Sequence, residues 1–210
     1  MKILITAGPT FERIDPVRFI GNFSTGKMGF ALAEVCASRG FDVVLIAGAV
    51  HLKTEHANIQ RIDVESAAQM YDAVMQNFPD CDAAIFCAAV ADFTPETVYS
   101  EKVKRKDNDL IIKLKPTRDI AAAAGKIKRE NQIIAGFALE TNDEENNAIN
   151  KMQRKNLDMI VLNSLNDKGA GFGYDTNKVT IIKKNGKKIS YPLQTKTEAA
   201  EEIVNELIND

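Results

Sequence analysis

GPTFERIDPVRFIGNFSTGKMG, residues Gly8–Gly29, joins a hydrophobic strand to an amphipathic helix, and its reading decides the fold. Before it, Ile3-Leu4-Ile5-Thr6-Ala7 is a short β-rich run that must turn at Gly8-Pro9, because proline cannot continue a ladder. After it, Met28, Phe30, Ala31, Leu32, Val35 and Cys36 recur at helical spacing from an opening near Thr25, and Gly40 supplies a left-handed stop. A strand therefore leads through a long polar loop to a helix N-terminus, whose free amides and dipole attract phosphate or carboxylate. Gly21, Gly26 and Lys27 satisfy most of the phosphate-loop pattern of nucleotide hydrolases, but Met28 stands where the magnesium-binding hydroxyl is required, so that reading fails. Gly, Ser, Thr and Lys are still suited to cradle an anion in another backbone geometry. A long loop inside a compact domain is usually functional.

Beyond Gly40, continuous apolar strands alternate with helices. Asp42–Gly48 and Ile59–Val64 read as strands, Glu65–Phe78 as a helix with a core-facing stripe, and Ala83–Ala89 as a fully buried strand leading into Val90-Ala91-Asp92-Phe93. Asp119–Arg129 reads as a helix capped by its aspartate, Gln132–Leu139 as a strand, Asn142–Lys155 as a polar helix and Leu157–Asn163 as a strand. Val179–Leu193 is a hairpin turning at Asn185-Gly186, and Thr195–Ile208 is an amphipathic helix. The pattern predicts a Rossmann-like three-layer α/β fold with a mostly parallel sheet, covered on both faces, with ligands at the carboxyl ends of its strands.

One stretch differs. Glu101–Lys115, EKVKRKDNDLIIKLK, alternates lysine with apolar residues around Asp107-Asn108-Asp109 and reads as a protruding antiparallel β-hairpin, an appendage spanning about residues 99–116 of a single 1–210 domain. A basic hairpin of this kind fits a solvated arm, a dimer contact or a flap over a polyanion equally well. Lys151 and Lys155 fall on one helix face. Solvated lysines would look the same.

A formal net charge of −2 over 210 residues argues against general affinity for nucleic acid or acidic membranes. Three cysteines, Cys36, Cys81 and Cys87, lack metal spacing and read as free thiols in a reducing compartment. His51 and His56 read as loop residues. With no signal-peptide pattern and no membrane-length apolar run, the expected location is the cytoplasm.

Taken together, Thr6–Thr10, Asp15-Pro16-Val17-Arg18, the Asn22–Gly29 loop, Ala88–Asp92, Glu101–Lys104, Gly136-Phe137-Ala138 with Glu140-Thr141, and Lys151 with Lys155–Asp158 resemble the phosphopantothenoylcysteine synthetase (phosphopantothenate–cysteine ligase) family of coenzyme A synthesis. The resemblance runs from the first strand to the last helix. It implies that the carboxylate of 4′-phosphopantothenate attacks the α-phosphate of CTP to give an acyl-cytidylate and pyrophosphate. The amine of L-cysteine then displaces CMP and forms an amide. With nothing before the first strand, it further implies a stand-alone ligase with a separate phosphopantothenoylcysteine decarboxylase.

The resemblance also distributes roles. Lys102 would contact the nucleotide and support acyl-nucleotide formation, and Asn22 would serve the acyl intermediate. Arg18, Asn22, Ser24, Gly26 and Lys27 would hold phosphopantothenate. Phe86, Cys87, Ala88, Asp92, Lys102, Arg118, Asp119, Ile120, Ala121, Phe137, Lys151 and Lys155 would hold the nucleotide. Arg118 departs from the proline common at its place in the family, and Phe23 and Thr25 differ mildly from common choices. Magnesium is expected on the triphosphate, held by phosphates and water without a dedicated protein ligand. A homodimer is implied, with the hairpin reaching its neighbour. The rivals are an NAD(P)-dependent Rossmann-type reductase, disfavoured by Pro9-Thr10 after Gly8 and by a second strand ending Ala47-Gly48 without an acid, and a non-catalytic nucleotide-binding protein.

Overall fold

Eight strands form the central sheet of the computed structural model, which describes residues 1–105, 109–164, 166–167 and 169–209. They are β1 (Lys2–Ala7), β2 (Asp42–Ala47), β3 (Ile59–Asp63), β4 (Ala83–Phe86), β5 (Ile133–Glu140), β6 (Met159–Ser164), β7 (Thr180–Lys183) and β8 (Lys188–Ser190). Their spatial order is β8-β7-β6-β5-β4-β1-β2-β3. From β3 across to β6 every neighbouring pair is parallel, and β7 and β8 return antiparallel at the edge. The expected α/β class and mostly parallel sheet are therefore present.

The helices are α1 (Lys27–Ser38), α2 (Ala67–Asn77), α3 (Ile120–Ile127), α4 (Glu144–Arg154) and α5 (Lys196–Ile208). Alternation along the strands sorts the core into two layers. Ile3, Ile5, Val43 and Leu45 face α1 and α5, where they meet Leu32, Cys36, Ile203 and Leu207. Leu4, Val44 and Ile46 face α2, α3 and α4, where they meet Met70, Val74, Ala124 and Met152. Each fully buried aliphatic side chain contributes about 1.5–3 kcal/mol. Among the described residues no helix is long and apolar enough to cross a membrane.

Three expectations need correction. α1 opens at Lys27 rather than near Thr25, because its N-cap is Gly26 in a left-handed conformation with φ 79°. β4 ends at Phe86 rather than Ala89, because the backbone of the next residues binds the loop after β1 instead of the ladder. The basic segment does not pair with itself where expected: residues 101–105 and 109–113 contain no strand, and the turn expected at Asp107-Asn108-Asp109 lies largely outside the described residues. Instead Leu114–Pro116 pairs antiparallel with Phe93–Pro95. The Glu96 amide extends that ladder to the Lys113 carbonyl (2.9 Å), and the Thr117 amide closes it on Asp92 (2.9 Å). Val103 is drawn elsewhere: its amide donates to Asp15 and its carbonyl accepts from Arg18. The appendage is therefore an arm rooted at Phe93.

α1 can sit on β1 because Gly29 has no side chain; a Cβ there would lie 2.5 Å from Ala7 Cβ and 3.0 Å from Ala7 Cα. Gly29→Ala is expected to destabilise the fold by about 1–3 kcal/mol through overpacking. Urea unfolding should register this as a lower midpoint at unchanged slope. An unchanged midpoint would refute the close-approach argument.

Candidate functional site

The site forms where the winding reverses, between the carboxyl ends of β1 and β4. Two threonines sew the loops there. Ala88 N donates to Thr6 Oγ1 (3.2 Å), and Ala91 N donates to Thr10 Oγ1 (2.9 Å). Between them Ala89 N donates to Gly8 O (2.9 Å), and Thr10 N donates to Ala89 O (3.3 Å). Asn22 joins this seam: its Nδ2 donates to Ala89 O (2.6 Å), while its Oδ1 accepts from Ser24 N (3.0 Å). The segment from Ala88 to Asp92 is thereby held as a ridge, with a cavity on each side.

The first cavity, about 320 Å³, is lined by Phe86, Ala88, Asp92, Arg118, Asp119, Ile120, Ala121, Phe137, Lys151 and Lys155. These are all the residues grouped above for a nucleotide except Cys87 and Lys102. Asp119 caps α3, accepting from Ala122 N (3.0 Å), and pairs with Lys155 at 2.9 Å. Burial pushes the Asp119 carboxyl up, but the helix amide and Lys155 outweigh it and hold the group below its usual range. Burial, reinforced by Lys155, lowers the Lys151 pKa from its ordinary 10.5. The departure at Arg118 has a local use, since its guanidinium lies 3.6 Å from the Tyr71 ring centroid and pairs with Asp72 at 2.8 Å. Thr6, Val90, Thr117, Gly136 and Leu157 complete the lining; none was given a ligand role from the sequence, and Thr117 lies outside every motif named there.

The second cavity, about 270 Å³, is lined by Ser24, Gly26, Lys27, Cys87, Asn163 and Lys196, among others. Ala88, Val90, Asp92, Phe137 and Lys151 line both cavities and form their common wall. No side chain caps the first helical amides of α1, at Lys27–Gly29, beside the cavity, while Gly26 N donates to Ser24 Oγ (3.4 Å). Lys27 Nζ meets Asp175 Oδ1 at 2.6 Å. Burial pushes the Cys87 thiol up to about 12, so it is a small neutral wall group and not a nucleophile. Sequence reasoning missed Asn163, Asn177 and Lys196. The rule that ligands gather at strand carboxyl ends, applied to β6, would have found Asn163. The sequence marks Lys196 only as a cation in the first turn of the last helix, where the dipole disfavours it.

Arg18, Asn22 and Lys102 line neither cavity, and Asn22 lies at the seam through its bond to Ala89 O. Arg18 is clasped by Asp15 and by Val103 O (2.8 Å), and borders a separate hollow with Phe11, Arg13 and Phe19. Asp15, which is buried, also accepts from the amides of Val17, Arg18 and Val103. Lys102, next to Val103, is exposed on the arm.

The fold and site are those of a doubly wound α/β domain with two adjoining, lysine-bordered cavities at its switch point. Residues 1–209 match the family described as "DNA/pantothenate metabolism flavoprotein C-terminal domain", and the chain belongs to that family. It is 52% identical over 207 residues to a "Cysteine/Cysteine sulfinic acid decarboxylase" of an unknown prokaryotic organism, covering 99% of this chain and 58% of that protein. It is 48% identical over 205 residues to the "Coenzyme A biosynthesis bifunctional protein CoaBC" of Bacillus subtilis (strain 168), covering 98% of this chain and 50% of that one. The chain thus spans about half the length of the curated relatives it matches. The crystal structure of the C-terminal domain of a coenzyme A biosynthesis bifunctional protein CoaBC superposes with a TM-score of 0.82 at 41% identity, covering 98% of this chain and 92% of that one.

The lowered Lys151 pKa has a measurable consequence. A bound polyanion favours the ammonium form, so binding inorganic tripolyphosphate just below the ordinary lysine range should take up protons. Calorimetry in buffers of different ionisation enthalpy would detect the uptake, and Lys151→Met should abolish it. Buffer-independent heats in the unaltered protein would contradict the assignment of Lys151 to an anion site.

Proposed function

We propose that this domain joins 4′-phosphopantothenate to L-cysteine through an acyl-cytidylate. The observation that carries the reading is the common wall of the two cavities, which lets two ligands meet without sharing a pocket. The nucleotide occupies the cavity under Asp119, Lys151 and Lys155. Phosphopantothenate occupies the other, with its phosphate toward Ser24–Lys27 and its carboxylate at the wall.

The chemistry follows from that placement. A carboxylate is a poor electrophile at neutral pH, so its oxygen first attacks the α-phosphorus of CTP and pyrophosphate departs. The amine of cysteine then attacks the acyl carbon, CMP leaves with the acyl oxygen, and the amine proton passes to solvent. The protein's share is positioning and charge neutralisation. With Asp119 engaged by Lys155, Asp92 would be the carboxylate available to hold a magnesium ion bound with the triphosphate, which would neutralise phosphate charge. Asn22, held beside the wall by Ala89, would donate to the acyl carbonyl in the second step.

A homodimer would account for the residues that stand outside the chain's own cavities. Val17, Phe19, Phe23, Phe93, Val98 and Ile111 are exposed on the arm and the loop beside it, an apolar surface suited to a second copy. Lys102 and Arg18 would then serve the neighbouring site. A cytoplasmic setting fits the free thiols among the described residues. The reductase reading is disfavoured because the Pro9 carbonyl lies 2.0 Å from where a Gly48 Cβ would be, so the loop after β1 covers the end of β2 where a dinucleotide ribose would lie. The decarboxylase name of one relative belongs to a protein of which this chain covers 58%.

Pyrophosphate release should require CTP and phosphopantothenate together, and turnover with CTP, ATP, UTP and GTP should rank CTP first. Lys102→Gln should lower release at least about a hundredfold, and Asn22→Asp should let acyl-cytidylate accumulate while amide formation slows. Full ligase turnover in both variants would overturn these roles. Sedimentation at micromolar concentration should give a dimer, and a monomer alone would contradict the shared-site account.

A further inference from the structure

Lys196 breaks two local rules. It is a cation at the first position of α5, where the helix dipole disfavours positive charge, and it is only 8% exposed. Violations of this kind persist where something else compensates, and they gather at functional sites. Here the compensation is a ring of carbonyls. Lys196 Nζ donates to Gly171 O (3.1 Å), Thr176 O (3.2 Å) and Tyr174 O, so all three of its N–H donors are used. The backbone must curl to bring these oxygens to one point, and Gly169, Gly171 and Gly173 adopt φ of 83°, 94° and 81°. The Lys196 amide also donates to Asp175 O at 2.9 Å, joining α5 to the same loop.

That loop, residues 169–176, is a strap whose Gly171 and Phe172 form part of the second cavity's wall, while none of its residues lines the first. Lys27 holds its outer side through Asp175 and Gly173 O (3.3 Å). The two lysines differ in kind. Asp175 is largely exposed, so the Lys27 ion pair is weak and Lys27 is able to turn to a ligand anion. Lys196 has no donor to spare.

We propose that Lys196 is the positioning residue that shapes the strap as a wall of the phosphopantothenate cavity, and that it acts through the loop rather than on the ligand. This rests on the ligand assignment made under the proposed function. Lys196→Met should raise the KM and the calorimetric Kd for 4′-phosphopantothenate about tenfold or more, while the KM for CTP stays within about twofold. Lys196→Arg, which still offers donors to the carbonyls, should recover part of the loss. Phe172→Ala, altering an exposed strap residue, should reproduce the same split even if Lys196→Met fails to fold. Equal losses for both ligands, or no loss in a folded Lys196→Met variant, would overturn the inference. So would an unaltered phosphopantothenate KM in Phe172→Ala. If the unaltered protein binds neither ligand, the functional reading falls, and amide hydrogen exchange then decides Lys196 alone: faster exchange across 169–176 in Lys196→Met supports it, and unchanged exchange refutes it.

Discussion

The reversal of winding between β1 and β4 is the constraint from which the remaining features follow. Chains leaving these neighbouring parallel strands depart in opposite directions, and the crevice between them must be filled by loops or ligands. Thr6, Gly8 and Thr10 fill part of it by bonding the backbone of residues 88–91. What remains is a ridge with a hollow on either side. The position of α1 is set by the same crowding, because Gly29 lies directly over Ala7 and brings the helix start to the strand end. Geometry thus places amide donors, lysines and a common wall within one small region before any chemistry is considered.

Charge in that region is held in exchangeable form. Lys155 is paired with Asp119, and Lys27 with Asp175, which is mostly exposed. The Lys27 pair is the exposed one, worth about 0–1 kcal/mol, so a phosphate bearing more than one negative charge competes well for Lys27, whereas Lys155 is mostly buried against Asp119. By contrast, Asp15 and Lys196 are buried and saturated with hydrogen bonds, and they set the course of the chain itself. The domain therefore separates cations available to ligands from charges that fix loops.

The layered fold was legible because apolar periodicity reports burial directly. Ile3–Ala7, Asp42–Ala47 and Met159–Ser164 are strands whose neighbours on both faces are helices, and their sequences are accordingly near-continuous in apolar residues. The first cavity was legible through family motifs, and its residues do converge. The arm was misread because alternation between lysine and apolar residues records a strand-like pattern but not the partner; long-range bonds to Asp92 and Asp15, far away in sequence, decide the pairing. The partners of Lys196 were invisible for a related reason. Its environment is built from backbone carbonyls of a loop some twenty residues earlier, and carbonyl direction leaves no trace in side-chain identity.

The central claim is that two ligands meet where the cavities adjoin, over the residues that border both, Ala88, Val90, Asp92, Phe137 and Lys151. A crystal structure with 4′-phosphopantothenate and a CTP analogue carrying a non-cleavable α,β-bridge tests it most directly. The account predicts one ligand in each cavity, with a carboxylate oxygen about 3–3.5 Å from the α-phosphorus and in line with the bridging group. Both ligands in a single cavity, or reacting atoms separated by the wall without line of approach, would contradict it.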